Sequence, residues 1–463
     1  MKRRMLGVSF RAKTIIAIAA VIGLLAAQDR TCAKSDIGVR ALLEVDPLDI
    51  SAFDPKTLAK DCTTFLSESK RLSDSERGRL YILRGQAYLN ASRYKDALRD
   101  FEQASELLPE RSFDILLARN YVIGSQGLLE RASSEVSDLI KTNPKSARAY
   151  LNKATWLLAI GDCKSCITCC DRSIALDKAN PTSFFIRAKA HDLNRNYQKA
   201  LDDINMCIKL GGCGVGTKFA SQPYIARGIL LLDPFDNPVR AFRDFTLARQ
   251  LDPTSLEVEY GICGCYFKQG KYDIADYLSR RIIKEHPQEV MSSLIRITVL
   301  IQRGNINDAL RLSERIVSLA PNLSVGYRHR GLVHFANGEF ETALQDFEKA
   351  SVINDENLGT MGAKSYLLAS VPKLRNGGEA LKLALRCCEE SGYKNAQFLM
   401  LLAMSYSAAG HKSNAVKFGE KALERLSRDS HFREEYERRL KSFKKGEMYN
   451  YSPRSKVFDY LFF

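Results

Sequence analysis

Small and aromatic residues recur along this chain at helical spacing, and the spacing itself repeats. From Gly78 onward, Tyr81, Gly85, Tyr88, Ala97, Phe101 and Ala104 mark the buried faces of two predicted helices, and Pro109 closes the block. Equivalent places are held by Tyr327, Gly331, Ala343, Phe347 and Ala350, and by Phe184, Ala188, Ala200, Ile204 and Cys207. With one extra residue in the turn, Tyr224, Gly228, Ala241, Phe245, Ala248 and Pro253 hold them again. Weaker copies begin near Phe113, Ala147, Leu256, Val290 and Ala396, with Ala132, Ala154, Ala275, Ala309 and Ala415 at the small-residue place. The period is about 34 residues. Small residues on both helices let the two backbones approach, and the aromatics fill the space between neighbouring pairs. Gly270, Gly304, Gly338 and Gly410 suit turns that need a positive φ, and prolines 109, 144, 253, 287 and 321 follow second helices, where the chain must change direction.

These positions resemble the tetratricopeptide repeat. The resemblance implies an all-α chain, a right-handed superhelical α-solenoid of about nine to ten helix-turn-helix repeats. It also implies a non-catalytic scaffold that binds a protein or peptide segment on its concave face. Leu368, Ala369, Pro372, Arg375, Asn376, Gly377, Ala380, Leu383 and Ala384, followed by Leu402, Ala403, Tyr406, Gly410, Ala415 and Val416, are similar to a variant C-terminal repeat pair of bacterial members. The expected division is a helical cap at 54–77, the solenoid at 78–429, a capping helix at 430–446 and an aromatic tail at 447–463. In the capping helix Phe432, Tyr436, Leu440 and Phe443 recur at helical spacing, while Arg433, Arg438, Arg439, Lys441, Lys444 and Lys445 cover the outer side. Tyr449, Tyr451, Phe458, Tyr460, Phe462 and Phe463 make the tail too apolar to hang in water, so it should dock in the chain's own groove, on a partner or against the last helix.

The first 33 residues carry another pattern. Lys2, Arg3, Arg4, Arg11 and Lys13 precede an apolar run from Ile15 to Ala27, which predicts either a secretory signal peptide or an uncleaved N-terminal membrane anchor. The expected location is therefore exported, periplasmic or envelope-associated, with inner-membrane anchoring as the alternative. Twelve cysteines sit awkwardly with an oxidising compartment. A formal net charge of +15 favours acidic partners. A basic nucleic-acid-binding helical repeat is the rival function, but the basic residues are spread along the chain, and export would separate it from most nucleic acid. A protein or peptide is the expected partner, with the N-terminal segment as a route to a membrane; oligomeric state is not encoded in this pattern.

Candidate chemistry is sparse. An arginine near the small residue of the first helix recurs with an acid about 16 residues later: Arg84 with Asp100, Arg119 with Glu135, Arg187 with Asp203, Arg330 with Asp346, and Arg227 with Asp244. Ile262 and Leu278 replace both members together, whereas Arg296 faces Leu312 and is the arginine left without its expected acid. Cys163, Cys166, Cys169 and Cys170 place four thiols within one predicted helix; Cys166 and Cys170 fall at core places, so packing or a disulfide outweighs a metal site. The loop Gly211, Gly212, Cys213, Gly214, Val215, Gly216 lacks the spacing of a phosphate-binding turn and follows a helix. His191, His286, His329, His334, His411 and His431 are scattered, with His191 and His334 at aromatic core places. No catalytic, cofactor-binding or metal-binding residue is assigned and no cofactor is expected. No non-repeat region is large enough for a catalytic domain, so the chain is not expected to be an enzyme.

Overall fold

The computed structural model describes residues 54–68, 72–212, 218–232, 235, 237–288, 290–354, 357–426, 430 and 432–451. The expected signal or anchor at 1–33 lies outside the described residues, as do Cys32, Cys213, His431, Phe458, Tyr460, Phe462 and Phe463. Every regular element among the described residues is helical. The chain divides into two compact units, Met1–Ala220 and Ser221–Phe463.

The first unit opens with α1 (Pro55–Glu68) and continues as four antiparallel pairs: α2 (Asp74–Asn90) with α3 (Tyr94–Leu107), α4 (Ser112–Ser125) with α5 (Leu129–Thr142), α6 (Ala147–Ile160) with α7 (Cys163–Leu176), and α8 (Pro181–Leu193) with α9 (Tyr197–Lys209). The second unit holds six pairs: α10 (Gln222–Leu232) with α11 (Pro238–Leu251), α12 (Leu256–Lys268) with α13 (Tyr272–Glu285), α14 (Val290–Gln302) with α15 (Ile306–Leu319), α16 (Ser324–Ala336) with α17 (Phe340–Ile353), α18 (Leu358–Ser370) with α19 (Gly377–Glu390), and α20 (Ala396–Ala408) with α21 (Lys412–Arg425). Helix α22 (Arg433–Lys445) packs on α21 and closes it. Within each unit the first helix of a pair also touches the first helix of the next, so the first helices form a continuous layer.

Local chemistry sets these boundaries. Helix α2 starts at Asp74, four residues ahead of the expected 78, because Ser73 and Glu76 form a reciprocal capping box there. Most of the described turns within pairs pass through a left-handed residue. Within pairs, Gly270, Gly304, Gly338 and Gly410 take φ between +73 and +83, and Ser92 and Arg195 take φ of 58 and 57. Tyr393, between the pair α18–α19 and the pair α20–α21, takes φ of 56. The small places are set by contact. A Cβ at Gly85 would lie 2.8 Å from the Phe101 ring, and one at Gly331 would lie 2.7 Å from Phe347. Phe101, Phe245 and Phe347 are fully buried. Truncating any of them to alanine would cost about 3–5 kcal/mol.

Four of the expected ion pairs form as two-pronged contacts. Arg84 holds Asp100 at 2.8 and 2.7 Å, Arg187 holds Asp203 at 2.8 and 2.6 Å, Arg227 holds Asp244 at 2.7 and 2.7 Å, and Arg330 holds Asp346 at 2.9 and 2.6 Å. Arg119 and Glu135 do not follow. Glu135 instead takes Arg131 Nε at 2.8 Å, one turn away on its own helix. Arg296 is not a spare cation either: its Nη1 donates to Asp276 at 2.8 Å, and that buried carboxylate also receives Arg303 at 3.0 Å and Arg280 at 2.8 Å. The acid that serves Arg296 comes from the preceding pair, where a within-repeat spacing could not find it.

Candidate binding face

The layer of first helices at the end of the second unit carries a segment of the chain itself. Helix α22 stops at Gly446, whose φ of +84 reverses the backbone. The residues that follow run back across α20, α18 and α16. Ser407 Oγ donates to the Glu447 carbonyl at 3.4 Å, Arg375 Nη2 donates to the Tyr449 carbonyl at 3.2 Å and to the Asn450 side chain, and the Tyr451 amide donates to the Ser370 carbonyl at 2.9 Å. The Tyr451 ring lies 4.5 Å from that of Phe335 and 6.0 Å from that of Phe340, and Tyr449 faces Tyr366 at 6.4 Å. Backbone groups are thus held by hydrogen bonds while alternate rings pack on apolar helix faces, which is how an extended peptide is held on a groove.

Arg439 anchors this strap from below. Expected on the outer side of the capping helix, it is instead buried, with its side chain 1% exposed. Glu435 accepts from its Nε at 2.8 Å, Met404 sulfur lies 2.9 Å from Nη1, and the guanidinium sits 4.4 Å from the Tyr449 ring and 5.8 Å from that of Tyr366. A carboxylate and two aromatic faces replace the water this cation has lost. Burial, reinforced by Tyr449, pushes the Tyr366 hydroxyl well above the usual tyrosine range, so it stays protonated as a donor to Tyr449. Sequence reasoning placed a dock for the tail among its choices but missed Arg375 and Arg439, because their partners lie 74 and 10 residues away in irregular chain.

The other candidates resolve into packing. Cys163, Cys166, Cys169 and Cys170 are all buried and unbridged on α7. They pack with Ala154, Leu157 and Ala190 from the flanking helices. The neighbouring Cys166 thiol and burial push Cys170 up, while burial raises Cys163 and Cys169. The raised pKa of these three disfavours the thiolate that a metal or an electrophile would need, whereas the hydrogen bond with Cys170 draws Cys166 down. Between α5, α6 and α7 lies a cavity of about 540 Å³ lined by Ser133, Ser137, Lys153, Ser165, Thr168 and Cys169. Ser137 and Thr168 donate to carbonyls of their own helices at 2.6 and 3.1 Å. His334 meets Glu339 at 2.5 Å and lies 3.9 Å from Asp346, within its own pair.

Helix α16 holds the least expected pair. Arg328 and His329 are both buried. His329 Nδ1 lies 2.7 Å from the Val325 carbonyl, and burial together with Arg328 lowers its pKa to about 3. No helix among the described residues is long and apolar enough to cross a membrane.

No protein-family model matches the chain. It is similar to Hsp70-Hsp90 organizing protein 3 of Arabidopsis thaliana, 22% identical over 219 residues that cover 47% of this chain and 38% of that protein. It is also similar to human sperm-associated antigen 1, 30% identical over 238 residues, 50% of this chain and 24% of that protein. The chain therefore spans less than half the length of these relatives. Among solved structures it is similar to a tetratricopeptide repeat protein from Parabacteroides merdae, with a TM-score of 0.48 and 19% identity over 56% of this chain and 99% of that one.

Proposed function

Because the chain is built of tetratricopeptide repeats, we propose that it is a protein-interaction scaffold whose first-helix face on α16, α18 and α20 holds an extended, ring-bearing peptide. One observation carries this reading: the face already holds Glu447 to Tyr451 through three backbone carbonyl or amide contacts and two packed rings. The Arabidopsis relative is by its name an organizing protein for Hsp70 and Hsp90, which supports a scaffold role here. The net charge of +15 adds a preference for partners with acidic residues beside the rings.

The test separates the face from its own strap. A chain ending at Gly446 is prepared, and a fluorescent peptide with the sequence of residues 447–463 is titrated into it. Saturable binding is expected, weakened at least about tenfold by Phe335→Ala, which removes the ring under Tyr451. The full-length chain, with the face occupied, should bind the peptide more weakly. A folded truncated protein that does not bind the peptide would overturn the reading.

A further inference from the structure

Arg328 stands where the repeats place a core residue. In the other three best copies the residue after the first aromatic is Ile82, Phe185 or Ile225, each buried and apolar. Arg328 occupies the same place and is itself only 7% exposed. Two residues further on, Arg330 has its carboxylate, Asp346. Arg328 has none: its Nε meets no acceptor, and no ion pair reaches it among the described residues. Its neighbour His329 is held neutral and offers no counter-charge. Burial alone draws the Arg328 pKa down to about 10, with no acid acting on it. An apolar residue at such a place is ordinarily the more stable choice.

The guanidinium is also pointed at something. It lies on the first turn of α18, where a Cβ at Gly359 would be 1.9 Å from Nη1 and 3.0 Å from Cζ. Any side chain at that position would force the guanidinium to shift. Asn357 caps this turn by accepting from the Thr360 amide at 2.9 Å, while helix geometry gives the amides of Leu358 and Gly359 no intrahelical acceptor. The first turn of a helix is its positive end. A buried cation is therefore held against the positive end of a helix, an arrangement that repels itself when empty and that an anion would reconcile.

We propose that Arg328 and the first turn of α18 form a binding site for an oxyanion, a carboxylate or phosphate group. The planar fork of arginine can hold two oxygens of such a group, and the free amides at the helix start supply further donors. This goes beyond the peptide reading and does not depend on the strap.

The test follows thermal unfolding of the wild-type chain and of R328M in increasing inorganic phosphate and, separately, acetate. Without either anion, R328M should melt about 2–4 °C higher, because it removes an unpaired buried charge. The wild type should then gain stability saturably, and by more than R328M, which registers only the general exclusion of salts from protein surface. Gain with acetate alone assigns the site to carboxylates, and gain with phosphate alone to phosphates. Equal gains of the two proteins in both anions overturn the proposal. R328K provides a second variant should R328M not fold: it keeps the charge but loses the fork, and its half-saturation should move about tenfold, an unchanged value counting against the site. Asp355 and Glu356 lie outside the described residues. A response that emerges only in the double variant D355N/E356Q would assign the counter-ion to the chain itself and also overturn the proposal.

Discussion

At the scale of single residues, His329 turns burial into a dependence on pH. Its folded pKa of about 3 lies below the ordinary value of 6.5, so the folded protein favours the neutral ring. The sign follows from linkage: a depressed folded pKa gives stability that is complete above the unfolded value and lost as pH falls towards the folded one. Between pH 7 and pH 5 that loss amounts to about 2 kcal/mol, since each pKa unit is worth about 1.4 kcal/mol. Urea titrations across this range should show the midpoint falling on acidification, and His329→Gln should flatten much of that fall. An unchanged slope in the variant would mean that the ring is reached by water and titrates normally. Protonation beside Arg328 would place two cations at one buried spot, which adds to the cost that burial sets on charging this ring.

Individual helices were largely legible because the repeat imposes two constraints at once, a small residue where backbones meet and a ring where pairs meet. Gly331 opposite Phe347 satisfies both, and the structure shows the contact that enforces them. The intra-pair salt bridges were legible for the same reason, as Arg84 with Asp100 shows. What escaped were contacts outside the period: Arg296 reaching back to Asp276, Glu135 turning to Arg131, and Arg439 turning inward under the strap. Arg328 left a signal that comparison of the copies exposes, a charge at a place held elsewhere by Ile82 and Ile225. The Arg84 pair also makes a quantitative test. Burial pushes the Asp100 carboxyl up although Arg84 pulls it down, so desolvation weighs more on this acid than its partner returns. Arg84→Ala should accordingly cost about 2–3 kcal/mol by stranding a buried carboxylate, and the double change with Asp100→Ala should cost clearly less than the two single changes added together. Strict additivity in chemical denaturation would show that the pair carries no coupling.

Across the whole chain the apolar cores are unequal. In the unit before Ala220 they form separate clusters, one around Leu80 and Leu83, one around Phe101, one around Trp156 and one around the α7 cysteines. Beyond Ser221 one small cluster surrounds Phe245, and a much larger one runs from Cys263 to Phe443 and takes in Phe335, Phe347, Tyr366 and Tyr436. In a stack where each pair touches only its neighbours, a perturbation spreads as far as the core it damages is continuous. Amide exchange followed by mass spectrometry should therefore respond differently to two comparable lesions. Arg84→Ala, beside the small clusters, should speed exchange in α2 to α5 and leave α18 to α22 unchanged. Phe347→Ala, at the centre of the continuous cluster, should lower protection from α12 through α22 together, because those helices share one buried apolar body. If Phe347→Ala loosens only α16 and α17, the large cluster is not a cooperative unit, and stability in this chain is set pair by pair instead.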